Sequence, residues 1–276
     1  MIGVDVSQMP PLPEGERTRG QTGEQLAAEL RHHVIEHAIT HAPRSQQTAL
    51  GPSEIGIECA RRIGYKLLGT EEINPGGGWL PTVGTAVHAW LAEQFEAANY
   101  RYGWLRFMVE QRVTVGTING QPVTGTCDLY DRATATAIDF KIQGKTSLQK
   151  LRRHGATGEY RVQGHAYGRG WAAAGHPVER VAVWGLPRNE PSLSGAVFAS
   201  EPYDESVATD ALARVEGIAS LASSMGAEAL PLLPTADSYC QYCPFFRRGS
   251  DDLASGCPGH TGAKATQPSS VESLIA

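Results

Sequence analysis

The period of the apolar positions changes along the chain, and the changes mark its elements. Between Gly23 and His41, Leu26, Leu30, Val34, Ile35 and Ile39 recur at helical spacing before Pro43, which predicts a helix. Within residues 51–69, Ser53 is suited to cap a helix whose first turn holds Glu54. A third helix is expected from Thr82 to Asn99, with Val83, Val87, Trp90, Leu91 and Phe95 facing inward. The pattern then shifts to alternation. Residues 105–115, 122–130 and 135–142 are rich in Val, Thr, Ile and aromatic side chains and read as strands, with turns at 116–121 and around Asp131 and Arg132. A helical stretch from Ser147 breaks near Gly155 to Gly158. A helix over Glu159–Ala174, strands over 178–186 and 194–199, and a helix over Asp204–Met225 follow. This mixture predicts an α/β fold, with a mixed central β-sheet flanked by helices.

Alternation along the third strand has a chemical consequence. Ala137, Asp139 and Lys141 share one face, and Ile138, Phe140 and Ile142 share the other, so an acid and an amine stand side by side over an apolar floor. Asp128 approaches from the neighbouring strand. Two carboxylates held this close repel unless a cation lies between them, and a divalent metal with oxygen ligands is the usual solution. Lys141 faces the same region. In the helix before the strands, Gly84 lies one turn from His88, leaving space beside the imidazole for a metal or a phosphate.

Charge narrows the class. With 24 Lys plus Arg against 29 Asp plus Glu, the net charge of -5 excludes a protein that coats nucleic acid through its overall charge. Local positive surface is available at Arg61, Arg62 and Lys66, at Lys150, Arg152 and Arg153, and at Arg247 and Arg248. Five cysteines behind a start that lacks a basic segment and an apolar run predict metal binding or burial rather than a disulfide framework. No apolar run approaches the roughly 20 residues that span a bilayer. The expectation is a soluble, cytoplasmic protein with no membrane partner. Residues 1–22 and 261–276 are expected to be flexible tails.

The motifs occur in an order that resembles a known family. Gly125-x-x-Asp128, a turn and Asp139-Phe140-Lys141 resemble the core of the PD-(D/E)xK nuclease superfamily, in its RecB-like branch. Gly84-x-x-x-His88 precedes that core, Gln163-x-x-x-Tyr167 follows it, and Cys59-Ala60-Arg61-Arg62 with Tyr65 and Lys66 is similar to the segment that leads it. The resemblance implies a restriction-endonuclease-like core over 23–260 and a metal-dependent DNA exonuclease. His88, Asp128, Asp139 and the backbone carbonyl of Phe140 would hold Mg or Mn, with Glu110 as a further ligand. Lys141 would orient or deprotonate the attacking water. Gln163 and Tyr167 would offer neutral donors to the DNA backbone.

The remaining cysteines form a second motif. Cys240-x-x-Cys243 is followed by Cys257 after 13 intervening residues, so three thiolates can reach one soft metal. Two residues compete as the fourth ligand. Cys59 would complete a 4Fe-4S site; His260 would complete a zinc site through Cys257-x-x-His260. Resemblance to iron-sulfur exonucleases, including the CRISPR-associated Cas-four type, favours the cluster as a clip between segments 51–69 and 238–260. Cys127 points away from Asp128 and is expected to be a buried core thiol. The alternatives are a catalytically idle DNA-end-binding or assembly factor, and a zinc-stabilised domain. The expected partner is DNA, in particular single-stranded ends, with a homo-oligomer or recombination and CRISPR-adaptation proteins as further partners.

Overall fold

The computed structural model describes residues 22–41, 49–74, 78–236 and 239–260. Of the tails expected at 1–22 and 261–276, Thr22 alone lies within them. The chain divides into two compact units, 1–47 and 48–276.

In the first unit, α1 (Gly23–Glu29) and α2 (His37–Thr40) flank a π-helical stretch, Leu30–Glu36. Thr22 caps α1 through a reciprocal pair with Gln25. No residue of these three segments is buried. His33, His37 and His41 are exposed, so the row of histidines lies on the surface.

The second unit is built on a five-stranded sheet of order β1-β2-β3-β4-β5: β1 (Phe107–Ile118), β2 (Gln121–Asp131), β3 (Thr136–Gln143), β4 (Arg180–Pro187) and β5 (Val197–Pro202). β3 and β4 pair in parallel and all other neighbours antiparallel, which makes the sheet mixed. The parallel pair needs a crossover, supplied by α5 (Lys145–His154) and α6 (Glu159–Ala173). Gly155 and Gly158, both at positive φ, break the chain between these two helices.

Each sheet face has its own core. On one face, α6 and α7 (Glu205–Met225) pack Ala166, Tyr167, Trp171 and Val215 against Val113, Val115, Cys127, Ala137 and Val181. On the other, α4 (Trp79–Tyr102) packs Leu91 against Val109, Leu129, Ile138 and Phe140, with Val87 and Phe95 beside them. Burying Phe140 contributes ~2–3 kcal/mol. On the opposite face β3 holds Asp139 at 3% exposure, where burial of a carboxylate is tolerated because the Lys141 ammonium lies 2.7 Å away.

Several elements differ from the pattern. The segment expected to form a helix from Ser53 makes tight turns over Pro52–Gly56, and the helix α3 runs from Ala60 to Leu67 with Cys59 at its N-cap position. The reason is tertiary: a Cβ at Gly56 would lie 2.8 Å from Glu159 Cα, so this backbone presses onto α6 and cannot coil. Trp90, expected inward, is 56% exposed, because Val87, Leu91 and Phe95 already form the buried stripe and Trp90 falls beyond its edge. β1 runs on to Ile118, since Asn119 and Gly120, both at positive φ, close the hairpin in two residues. β5 begins at Val197, three residues later than expected, after a short 3-10 turn at Leu193–Gly195.

Candidate active site

Strand β2 creates the site by parting from β3 while staying paired with β1. It pairs with β3 only at Leu129, Tyr130 and Asp131, and at Asp128 the ladder stops. The backbone N–H of Phe140 then donates to Asp128 Oδ2 at 2.6 Å, so a carboxylate takes the place of a strand partner. Gly125 permits this path, because a Cβ there would meet Pro52 at 2.6 Å. Helix α4 brings His88 to the same point, with Nδ1 3.2 Å from Asp128 Oδ1. The end of α4 is tied to β1 by Asn99, which donates to Phe107 O and accepts from the N–H groups of Arg106 and Phe107. A Cβ on Gly84 would meet no atom within 4 Å, so the space beside His88 is open.

Glu110 joins them through an irregular backbone. Pairing between β1 and β2 skips from Val109–Leu129 to Gln111–Cys127, and Glu110 between them has φ +50°. His88, Glu110 and Asp128 offer ligand atoms that all lie within 4.8 Å of one another, a close three-ligand set among the described residues. Asp139 is outside this tight group. Its Oδ2 lies 2.7 Å from Lys141 Nζ, near enough for an ion pair but without the alignment of a hydrogen bond. Lys141 donates to Gln163 Oε1 at 2.9 Å, lies 5.1 Å from the centre of the Tyr160 ring, and is followed in the chain of contacts by Gln163 Nε2 and Tyr167 OH at 3.5 Å. Gln163 and Tyr167 are both buried.

The electrostatics describe a pocket short of positive charge. Complete burial pushes the Asp139 carboxyl up to about 6; the Lys141 charge works against that shift and Asp128 adds to it. Glu110, although exposed to solvent on one side, is also raised, by partial desolvation first and by the charge of Asp128. For His88 burial opposes protonation, but its hydrogen bond to Asp128 and the charges of Asp128 and Asp139 together leave the imidazole more basic than usual. Lys141 is likewise held basic: burial pulls it down, and the adjacent Asp139 outweighs burial. Imidazole with carboxylate oxygens is a donor set for Mg or Mn. The close triad, the carboxylate repulsion and the unaligned buried oxygen of Asp139 all fit a divalent ion.

A second cavity joins the two ends of the unit. Cys59, Cys240, Cys243, Cys257 and His260 line it together. The walls are fastened by protein contacts: Arg61 Nε to Leu230 O at 2.9 Å, Tyr65 OH to Leu253 O at 2.7 Å, Ile73 N to Pro244 O at 3.0 Å, and a stacked Tyr65–Phe245 pair. The N–H groups of His260 and Gly259 point to the sulfurs of Cys240 and Cys257, each at 3.4 Å. His260 Nδ1 is 3.1 Å from Thr235 Oγ1. A tetrahedral zinc with Zn–S of about 2.3 Å holds its sulfurs within roughly 4 Å of one another. Among the described residues, these ligands do not form a three-membered set within 4.8 Å. Cys127 stands apart, fully buried, with its thiol pushed up by burial.

Two features have no signature in the spacing of residues. Arg106 grips Asp131 through two hydrogen bonds of 2.9 and 2.8 Å, fixing the end of β2 just beyond Asp128. The antiparallel register that sets Phe107 opposite Asp131 brings them together across 25 positions of sequence. Tyr160 gains its place beside Lys141 only from the packing of α6 on the sheet.

No protein-family model matches the sequence, and no curated protein matches it. Among solved structures, the chain is similar to an alkaline exonuclease from Laribacter hongkongensis, with 13% identity over 66% of this chain and 91% of that one, at a TM-score of 0.44. It is also similar to a phage-related exonuclease from Haemophilus somnus 129PT, with 16% identity over 51% of this chain and 73% of that one, at a TM-score of 0.33. Among the described residues, no helix is long and apolar enough to cross a membrane.

Proposed function

We propose that this protein is a metal-dependent DNA exonuclease that hydrolyses phosphodiester bonds at single-stranded ends. One observation carries the reading: the three close ligands His88, Glu110 and Asp128 stand beside an Asp139–Lys141–Gln163 chain whose two ends are buried and whose lysine is half-buried. His88, Asp128 and Glu110 would hold Mg or Mn, with Asp139 and the Phe140 carbonyl completing the set. When bound, the ion polarises the phosphate and stabilises the leaving oxygen. Lys141 orients the attacking water and offsets charge that develops on the phosphate. Gln163 holds the ammonium in place, and Tyr167 closes the back of the pocket. Asp128 holds the Phe140 N–H, keeping the backbone of β3 fixed where its carbonyl is needed.

The cysteine cavity extends the proposal. Cys59 lines it together with Cys240, Cys243 and Cys257, which supports a 4Fe-4S cluster on these four; zinc on Cys240, Cys243, Cys257 and His260 is the alternative. Two backbone N–H groups already face the sulfurs, as expected around thiolates that carry a cluster. The test is an assay on end-labelled linear and on circular single-stranded DNA with Mg, Mn or EDTA. Cleavage of linear DNA with either metal, and of neither substrate in EDTA, is expected. Rapid cutting of the circle would move the reading to an endonuclease, and no cutting of either would refute it.

A further inference from the structure

A cavity of about 480 Å³ lies between α5, α6 and the edge formed by β4 and β5. It adjoins the candidate active site on the same sheet face. Asp139 pairs with Val183 in the parallel register, and Val183 pairs with Ala199; both Val183 and Ala199 line the cavity. At ~4.8 Å per strand, its far edge is about 10 Å from Asp139. Tyr160 belongs to both places, since it lines the cavity and lies 5.1 Å from Lys141 Nζ.

Its lining combines an apolar floor, an aromatic ring and cationic side chains. The strand floor is apolar and one wall carries the Tyr160 ring, which suits a flat base. Arg152 and Arg161 face the cavity against a single acid, Glu201, and Arg161 is paired with that acid, so Arg152 leaves a net positive charge that favours an anion, with the His154 imidazole beside it. Glu201 is itself held in one orientation: Arg161 Nε donates to both of its oxygens at 3.0 Å, and His165 Nε2 lies 3.3 Å from Oε1. His165 is completely buried, and its Nδ1 accepts from the Asp204 N–H at 3.1 Å, which leaves the ring proton on Nε2, near Glu201 but not aligned for a hydrogen bond. Glu201 is thus a fixed acceptor, and every nucleobase has an N–H to donate.

We propose that this cavity binds a nucleoside monophosphate unit, supplied by the terminal nucleotide of the strand. Its base would lie on the β4–β5 floor with its phosphate towards Arg152 and His154. The proposal rests on the exonuclease reading for the source of that nucleotide, and it assigns to the cavity the discrimination of an end from an internal segment.

The experiment uses the full chain in EDTA, so that binding is read without cleavage, with a fluorescent phosphorothioate (dT)10 as probe. Ala199→Leu fills the floor from an edge strand, and Arg152→Gln removes a cation at the rim. Both are expected to weaken binding at least tenfold and fivefold, respectively, while the thermal unfolding midpoint stays within a few degrees. Arg152→Gln should also reduce the salt dependence by about one counterion. A circular (dT) strand should compete at least tenfold less well than linear (dT)10. Competition by free dTMP would show that the unit suffices by itself; competition by linear strands only would show that it is read as a strand end. Unchanged binding in a folded Ala199→Leu, or equal competition by the circle, would overturn the proposal. If the wild type binds in this pattern but cuts nothing with Mg or Mn, the exonuclease reading fails and the nucleotide site stands.

Discussion

Glu110 has a left-handed backbone in the middle of a strand, and that conformation separates stability from function at one residue. A non-glycine residue at φ +50° carries a penalty of about 1–2 kcal/mol, and glycine avoids it at an entropic cost of about 0.5–1 kcal/mol. Glu110→Gly and Glu110→Ala delete the same carboxylate, but only the first relieves the backbone. In EDTA the glycine variant should therefore be more stable than the alanine variant by about 1 kcal/mol, or about 2–4 °C in Tm. Metal binding should respond to both alike. The side chain is one of three ligands within 4.8 Å, and its loss should weaken Mn at least tenfold, which removes about 1.4 kcal/mol of the stabilisation that Mn adds near saturation. The assay is urea unfolding of the wild type and both variants with EDTA and across a Mn titration. An alanine variant as stable as the glycine variant would refute the backbone argument. Unaltered Mn stabilisation in both would remove Glu110 from the metal site.

Three further outcomes follow from the same geometry. Asp139→Ala or Lys141→Ala should lower the cleavage rate by about 10²–10⁴ with the fold intact, since these groups act in the chemical step; activity within a few-fold of wild type in single-turnover assays would contradict the assignment. Asp131→Asn should destabilise the fold by about 2–4 kcal/mol at pH 7, because Asp131 is 5% exposed and accepts both Arg106 bonds. Burial alone would raise the Asp131 carboxyl, but Arg106, Thr134 and the Ala133 N–H outweigh it and hold its pKa below the ordinary 3.8. The stabilisation is therefore complete above about pH 4 and lost as pH falls through the folded pKa, so the variant should show a flatter acid limb in denaturant titrations; parallel limbs would exclude the pair as the cause. Cys59→Ala should remove iron, acid-labile sulfide and several degrees of Tm, whereas His260→Ala should leave metal content unchanged; stoichiometric zinc that is lost only in the histidine variant would replace the cluster with a zinc site.

Much of this organisation is legible in the residues alone. Period two places Asp139 and Lys141 on one face of β3 with Ile138 and Phe140 on the other, because side-chain direction in a strand depends only on position along it. The stripe of Val87, Leu91 and Phe95 aligns α4 for the same local reason, which brings His88 to one side of the helix. The turn at Asn119–Gly120 and the break at Gly155 to Gly158 follow from backbone conformations that few residues other than glycine and asparagine adopt readily. Tertiary structure alone decided the rest. That β2 leaves β3 at Asp128, that Glu110 and not Asp139 completes the tight triad, and that Arg106 meets Asp131 all depend on the register between strands, which spacing along one strand does not encode. The helix expected from Ser53 became turns because Gly56 must lie against α6, a contact between segments more than 100 residues apart. The single cavity shared by Cys59 and Cys257 has the same origin: packing free energy is summed over neighbours in space, and the sequence lists neighbours only in order.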